Sequence, residues 1–250
     1  MSVFITGASA GIGEACARAF AAARHDLVLV ARRRDRLEKL AKELSAAHEV
    51  KVSVFEMDVR DRGSIDSLFQ KHRETLSQVE VLINNAGLAM GREPLQDGNP
   101  IDWDVMIDTN IKGLLYVTHA FLPQLIKRGH GHIVNMGSAA GHWTYPNGNV
   151  YAATKFAVRA LTESLRMDIH GSGVRVTEIS PGMVETEFSQ VRFKGDEVKA
   201  KSAYAGFTPL TAKDIAEAIL WCVQRPKHVN IQEVVIFPTD QASVGLIRRS

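Results

Sequence analysis

The feature that most restricts this chain is a glycine-punctuated turn near its start, Thr6-Gly7-Ala8-Ser9-Ala10-Gly11-Ile12-Gly13. A short β-rich run, residues 2–6, stands before it, and an Ala-rich stretch, residues 12–23, reads as a helix after it. Between a strand and a helix this pattern has a defined use. Gly7 permits a sharp exit from the strand. Gly11 and Gly13 remove Cβ atoms where a pyrophosphate and a packed helix must come close. The helix N-terminus beyond Gly11 offers unpaired N–H groups and partial positive charge. Ser9 and Ile12 lie within the same turn. Away from that setting, glycines so spaced would only make a turn.

The rest of the chain repeats the alternation. Residues 27–31 form a continuous apolar run, as expected of a strand buried on both faces. Further β-rich runs occupy 50–57, 79–83, 132–136, 174–179 and 231–237. Helical spacing covers 35–47, 64–76, 102–126, 151–170 and 211–222. Pro123 is expected to kink the last turn of the longest of these, and Thr211-x-x-Asp214 reads as a cap. Seven strands separated by helices predict right-handed crossovers. The fold class is therefore α/β, a doubly wound, seven-stranded parallel sheet (a Rossmann fold) in a single domain over residues 1–250. The one long irregular stretch, 181–205, reads as a substrate lid, with a surface insertion as the alternative.

Composition excludes several functions. Thirty Lys and Arg against 28 Asp and Glu leave a net charge of +2, too little to draw the whole molecule to nucleic acid or anionic lipid. Any anion must be held by local placement. No apolar run is long enough for a bilayer, and the glycine turn at residue 6 leaves no room for a cleavable leader. Cys16 and Cys222 form no disulfide framework and read as reduced thiols. A soluble, cytoplasmic protein is expected. His130-Gly131-His132 resembles a metal pair but has no evident third ligand, so no metal is expected.

Strand two ends at Ala31, where an acidic residue would hold a ribose 2′-hydroxyl, and Arg32, Arg33, Arg34, Asp35 and Arg36 follow. An arginine grips a 2′-phosphate by bidentate, charge-assisted bonds, and a carboxylate there would repel it. Arg32 and Arg33 are the best placed, with a solvated helix start as the alternative for the others. The expected cofactor is NADP(H). Asp58 and Val59, at the end of strand three, would lie near its adenine.

Tyr151 and Lys155 stand four apart on one helix face, and Ser138 follows the fifth strand. Lowering a tyrosine pKa from about 10 to near neutrality takes about 4 kcal/mol. One ammonium about 4 Å away supplies a term of that order.

These motifs, with Asn84-Asn85-Ala86-Gly87, Asn110 and Pro181-Gly182, occur in the order in which they appear in the short-chain dehydrogenases/reductases, which the chain resembles over nearly its whole length. The resemblance implies roles. Tyr151 is the general base in oxidation and acid in reduction, and Ser138 binds the substrate oxygen. Lys155 binds the nicotinamide ribose and lowers the tyrosine pKa. Asn110 holds a water linked to Lys155. Asn85, Ala86, Gly87, Pro181, Gly182, Val184 and Thr186 border the cofactor. The chain is also similar to a narrower group of NADP-dependent 3-hydroxy acid dehydrogenases, through segments around Gly87–Gly91, Met106–Asn110, Gly148–Tyr151 and Thr186–Gly195. That likeness implies a small 3-hydroxy acid or its semialdehyde as substrate, with a bulkier carbonyl such as a 3-oxoacyl thioester or a sugar as the alternative. The wider family resemblance implies a homotetramer through helices 102–126 and 151–170, with core packing as the alternative use of their apolar surface. Thr144 and Ser180 depart from the group, which often carries proline and glutamate there. Arg192 is the best candidate to hold the acid group, against a solvated arginine or one on cofactor phosphate. Trp143 and Tyr145 are expected to line the pocket, or else simply to pack.

Overall fold

The computed structural model describes residues 1–250 and has the expected doubly wound sheet. The sheet strands are β1 (Ser2–Thr6), β2 (Asp26–Ala31), β3 (Val52–Glu56), β4 (Val79–Asn84), β5 (Gly131–Met136), β6 (Val174–Pro181) and β9 (Glu233–Ile236). They lie in the order β3-β2-β1-β4-β5-β6-β9, and every adjacent pair is parallel. Parallel pairing puts helices on both faces, which is why Leu27 to Ala31 are all buried and the run shows no polar alternation.

One face is covered by α1 (Gly11–Ala22), α2 (Arg34–His48) and α10 (Ala212–Val223). Their Cys16, Phe20, Leu37, Leu40, Ile215 and Ile219 form one core with Ile5, Leu29 and Ile179 of the strands. On the other face lie α3 (Arg62–Lys71), α4 (Arg73–Leu76), α5 (Pro100–Ile107), α6 (Leu114–Arg128) and α7 (Asn149–Asp168). There Phe121 packs edge-on against both Phe4 and Phe69, with ring centroids 4.6 Å apart in each case. The chain winds outward from β1 to β3 and then returns to β4, so β1 and β4 flank a topological switch point. The crevice at their carboxyl ends is the natural ligand site of such a sheet.

The structure corrects two expectations. The helix expected over 64–76 breaks at His72 into α3 and α4. The helix expected over 102–126 is α5 and α6 joined by a π turn, Asp108–Gly113. Pro123 lies inside α6, which runs on to Arg128 and ends at Gly129 in the left-handed conformation. The irregular stretch 181–205 carries β7 (Val184–Glu185), α8 (Phe188–Arg192) and α9 (Glu197–Ser202), and β7 pairs with β8 (Leu210–Thr211). A hairpin of β10 (Gln241–Ser243) and β11 (Leu246–Ile247) closes the chain.

The glycine turn is as tight as expected. Gly7 and Gly11 have φ of +66° and +56°, which suit glycine, and a Cβ on Gly13 would lie 2.4 Å from the Gly7 carbonyl oxygen. Backbone cannot yield there as a side chain would. Gly13→Ala should cost about 1–3 kcal/mol, read as a lower urea midpoint; an unchanged midpoint would show that the turn relaxes freely.

Candidate active site

The carboxyl ends of the strands open into a cavity of about 480 Å³. At one end are Gly7, Ser9, Gly11 and Ile12 from the glycine turn, with Arg32, Arg33, Asp58 and Val59 from the ends of β2 and β3. Asn85, Ala86 and Gly87 follow β4, and Pro181, Gly182, Val184 and Thr186 face them from the far side. Gly13 is not in the wall; it serves the packing of α1 on β1. The residue before α1, Ala10, provides no side-chain cap, so the first N–H groups of the helix stay available to an anion. A dinucleotide's pyrophosphate fits this cradle.

The arginines are already engaged. Arg33 donates through Nε to Ser9 Oγ at 3.1 Å and pairs with Glu187 at 2.7 Å, while Arg36 holds the other oxygen of Glu187 at 2.6 Å. Burial would push Glu187 up, but its bonds to the two arginines hold it below the usual carboxylate range. Asp58 is likewise held down by Arg60, 2.6 Å away, against its burial. The engagement of Glu187 with Arg33 and Arg36 carries no sequence signal, because only the fold brings segment 181–205 onto the end of β2.

At the other end the side chains expected to do chemistry meet. Tyr151 and Lys155 project from the first turns of α7, both buried, with Lys155 Nζ 5.9 Å from the tyrosine ring centroid. Lys155 donates to the Met136 carbonyl at 2.8 Å. Ser138, just past β5, accepts from Ala140 N–H at 3.1 Å, and it lies near enough to the Tyr151 phenol to oppose its upward shift. Asn110 sits in the π turn, where its amide bonds both Leu88 backbone groups, at 2.9 and 2.8 Å, and Thr154 Oγ1 at 3.0 Å. Such turns often mark functional positions in helices. Asn110 lies behind the cavity wall, beside Gly87 and close to Lys155.

The electrostatic balance differs from the simple pairwise expectation. Burial pushes the Tyr151 phenol up to about 12, and the Ser138 hydrogen bond and the Arg192 charge only partly oppose it. Burial also pushes Lys155 down to about 8, with the charge of Glu178 working the other way. In the protein by itself, then, desolvation dominates at the phenol, Ser138 and Arg192 are the groups that oppose it, and further positive charge is needed to bring it toward neutrality.

Arg192 reaches this end from α8. It donates to Tyr145 Oη at 2.8 Å and to the Gly91 carbonyl at 3.1 Å, and its Cζ lies 5.5 Å from the Tyr151 ring centroid. Tyr145 lines the cavity as expected. Trp143 does not: its ring turns out toward His142 and Phe237 and is 48% exposed.

Behind Ser138 lies a cluster with no sequence signal. Ser180 Oγ is 2.9 Å from Glu178 Oε1 and 3.2 Å from Glu233 Oε1, and Glu233 also contacts the His142 ring. The departure to serine at 180 thus leaves room for a carboxylate from the next strand. His130 and His132 are elsewhere and apart in role: His130 pairs with Glu80 at the surface, and buried His132 bonds Thr177.

The model of the short chain dehydrogenase family matches residues 1–197. The chain is 47% identical over 247 residues to the NADP-dependent 3-hydroxy acid dehydrogenase YdfG of Salmonella typhi, covering 98% of each. It is 48% identical over 241 residues to sulfoacetaldehyde reductase 2 of Chromohalobacter salexigens, covering 96% of this chain and 95% of the relative. The closed form of serine dehydrogenase complexed with NADP+ superposes with a TM-score of 0.94 at 44% identity, over 100% of both chains. Matched in its motifs, its sheet order and its length, the chain belongs to the short-chain dehydrogenase family.

Proposed function

We propose that this protein is an NADP(H)-dependent oxidoreductase that interconverts a small 3-hydroxy acid and its semialdehyde. The observation that carries the reading is that Tyr151, Lys155 and the Arg192 guanidinium line one cavity, with Ser138 between two further residues of its wall, Gly137 and Ala139. Bound NADP(H) supplies the hydride acceptor or donor, and its oxidised ring adds positive charge.

Tyr151 Oη takes the substrate hydroxyl proton in oxidation and returns it in reduction. Ser138 Oγ hydrogen-bonds the same oxygen and fixes it against the phenol. Lys155, anchored on Met136, holds an ammonium near the phenolate and reaches toward the ribose. Asn110, locked by Leu88 and Thr154, orders the water through which Lys155 exchanges protons. Arg32 and Arg33 hold the 2′-phosphate, with Asp58 and Val59 at the adenine. Arg192 holds the substrate carboxylate, and the stretch 181–205 that carries it works as a lid over the single domain. Trp143 has no place in this reading.

The chain is further proposed to work in the cytoplasm as a homotetramer. Both cysteines are buried and unpaired, which suits a reducing compartment. Ile101, Ile107, Leu115 and Phe156 leave apolar area exposed along α5, the π turn's flanks and α7. No helix is long and apolar enough to cross a membrane.

The first test is an oxidation assay with NADP+ on L-serine, L-allo-threonine and 3-hydroxypropionate against the reduction of acetoacetyl thioesters. Turnover of the thioesters alone would favour the bulky-carbonyl reading and end this one. Arg192→Ala should raise KM for 3-hydroxypropionate roughly 10- to 100-fold, the loss of a hydrogen-bonded charge pair, and leave a neutral alcohol little changed. Equal loss on both would remove Arg192 from the carboxylate. Tyr151→Phe should lower kcat at least about 100-fold. The double variant Arg32→Ala, Arg33→Ala should weaken NADP(H) tens-fold and NAD(H) far less, by steady-state KM for each cofactor; parallel loss of both would refute the phosphate assignment.

A further inference from the structure

We infer that Glu178, a buried carboxyl behind Ser138 with no part in the chemistry so far described, is a positioning residue that acts through Lys155: its negative charge keeps the lysine protonated, and the chain Ser180–Glu233–His142 connects it to solvent. This rests on the proposed Tyr151–Lys155 roles.

The location follows from strand register. Glu178 of β6 is paired across the sheet with Asn135 of β5 on one side and Glu233 of β9 on the other, so the three side chains share one face. Asn135 bonds Thr162 of α7, which identifies that face as the one α7 covers. Ile179, the next residue, belongs to the opposite core with α10, whose charged groups are therefore on the far side. The groups that face Glu178 are Ser180 on its own strand, Glu233 on β9, Lys155 and Arg159 on α7, and, through Glu233, His142.

Its distance from the chemistry is short. A Cβ on Gly137 would lie 2.1 Å from Glu178 Oε1 and 2.6 Å from Ser180 Oγ, so this carboxyl rests directly on the peptide that presents Ser138. The residue on the other side of Gly137 is Met136, whose carbonyl receives the Lys155 ammonium at 2.8 Å. Glu178 itself is 2% exposed, whereas the Glu233 side chain is 28% exposed. One hydroxyl, Ser180 Oγ, thus joins a fully buried carboxyl to one that is partly open to water. Glu233 opens this cluster to water, so the charge on Glu178 follows bulk pH. Burial and the charge of Glu233 push Glu178 up to about 7, against the Ser180 bond and the two cations of α7. Glu178 is also the group whose charge opposes the desolvation of Lys155.

Reduction needs the ammonium when Tyr151 gives up its proton, so it fails above the pH at which Lys155 becomes neutral. The test is the pH profile of kcat/KM for reduction of malonic semialdehyde by NADPH. In Glu178→Gln the alkaline limb should move down by about one pH unit, and Glu178→Asp should restore most of it. NADPH binding by fluorescence confirms that both variants are folded. A Glu178→Gln profile that coincides with the wild type overturns the inference. If Tyr151→Phe loses about 100-fold in rate while that coincidence is seen, only this inference fails; if Tyr151→Phe keeps its rate, the catalytic reading fails first. Urea unfolding gives a reading without turnover. A carboxyl raised in the folded state to about 7 from an ordinary 4.5 makes stability fall as pH rises through that window. Glu233→Gln removes a charge that raises Glu178 and should move this fall to lower pH. A fall that stays in place overturns the coupling, whether or not Glu178→Gln folds.

Discussion

The site depends on keeping one ammonium charged in a place that disfavours charge. Lys155 is buried, and its only hydrogen bond to the protein is to a backbone carbonyl. Desolvation acts on it and on Tyr151 in opposite directions, since burial neutralises both the cation and the phenolate. A dry pocket also strengthens each attraction that remains. The pair therefore responds strongly to any charge brought near it, and the sheet supplies positions for such charges: Arg192 from the loop side and Glu178 from the strand side.

The topology explains why these groups can converge. All seven strands point the same way, so every strand-to-helix loop opens on one edge. The reversal of winding at β1 and β4 parts those loops and leaves the crevice. Segment 181–205 then covers the crevice at two points: Glu187 binds the arginines after β2, and Arg192 binds Tyr145 and Gly91. One short helix, α8, thus begins beside the phosphate end of the cavity and finishes beside the tyrosine.

Much of this was legible in the sequence where the information is local. The glycine turn, the arginines after β2 and the four-residue step from Tyr151 to Lys155 each encode geometry within a few residues, and the structure puts residues of all three in the wall of one cavity. The sheet was legible because buried parallel strands are apolar throughout. What was not legible is contact across the fold. Glu187 meets Arg33 over 154 positions, and Glu233 reaches Ser180 over 53. The charge balance at Tyr151 also could not be read from spacing, since it turns on burial. The outward turn of Trp143 is not encoded locally either, because a loop has no period from which to infer direction. The break in the helix over 102–126 has no local mark, because its apolar positions persist through the π turn without a proline or glycine pair.

That π turn has a consequence for how the helix can vary. Hydrogen bonding from i to i+5 accommodates one residue more per turn than the α-helix around it. The extra residue sets the angular offset between the two halves: α5 lies against α7, whereas Phe121 and Leu125 of α6 point into the sheet. Removing any single residue between 108 and 113 would therefore not merely shorten the rod. It would twist one half by about 100° relative to the other, withdrawing either the α7 contact or the sheet contact and carrying Asn110 out of reach of Leu88.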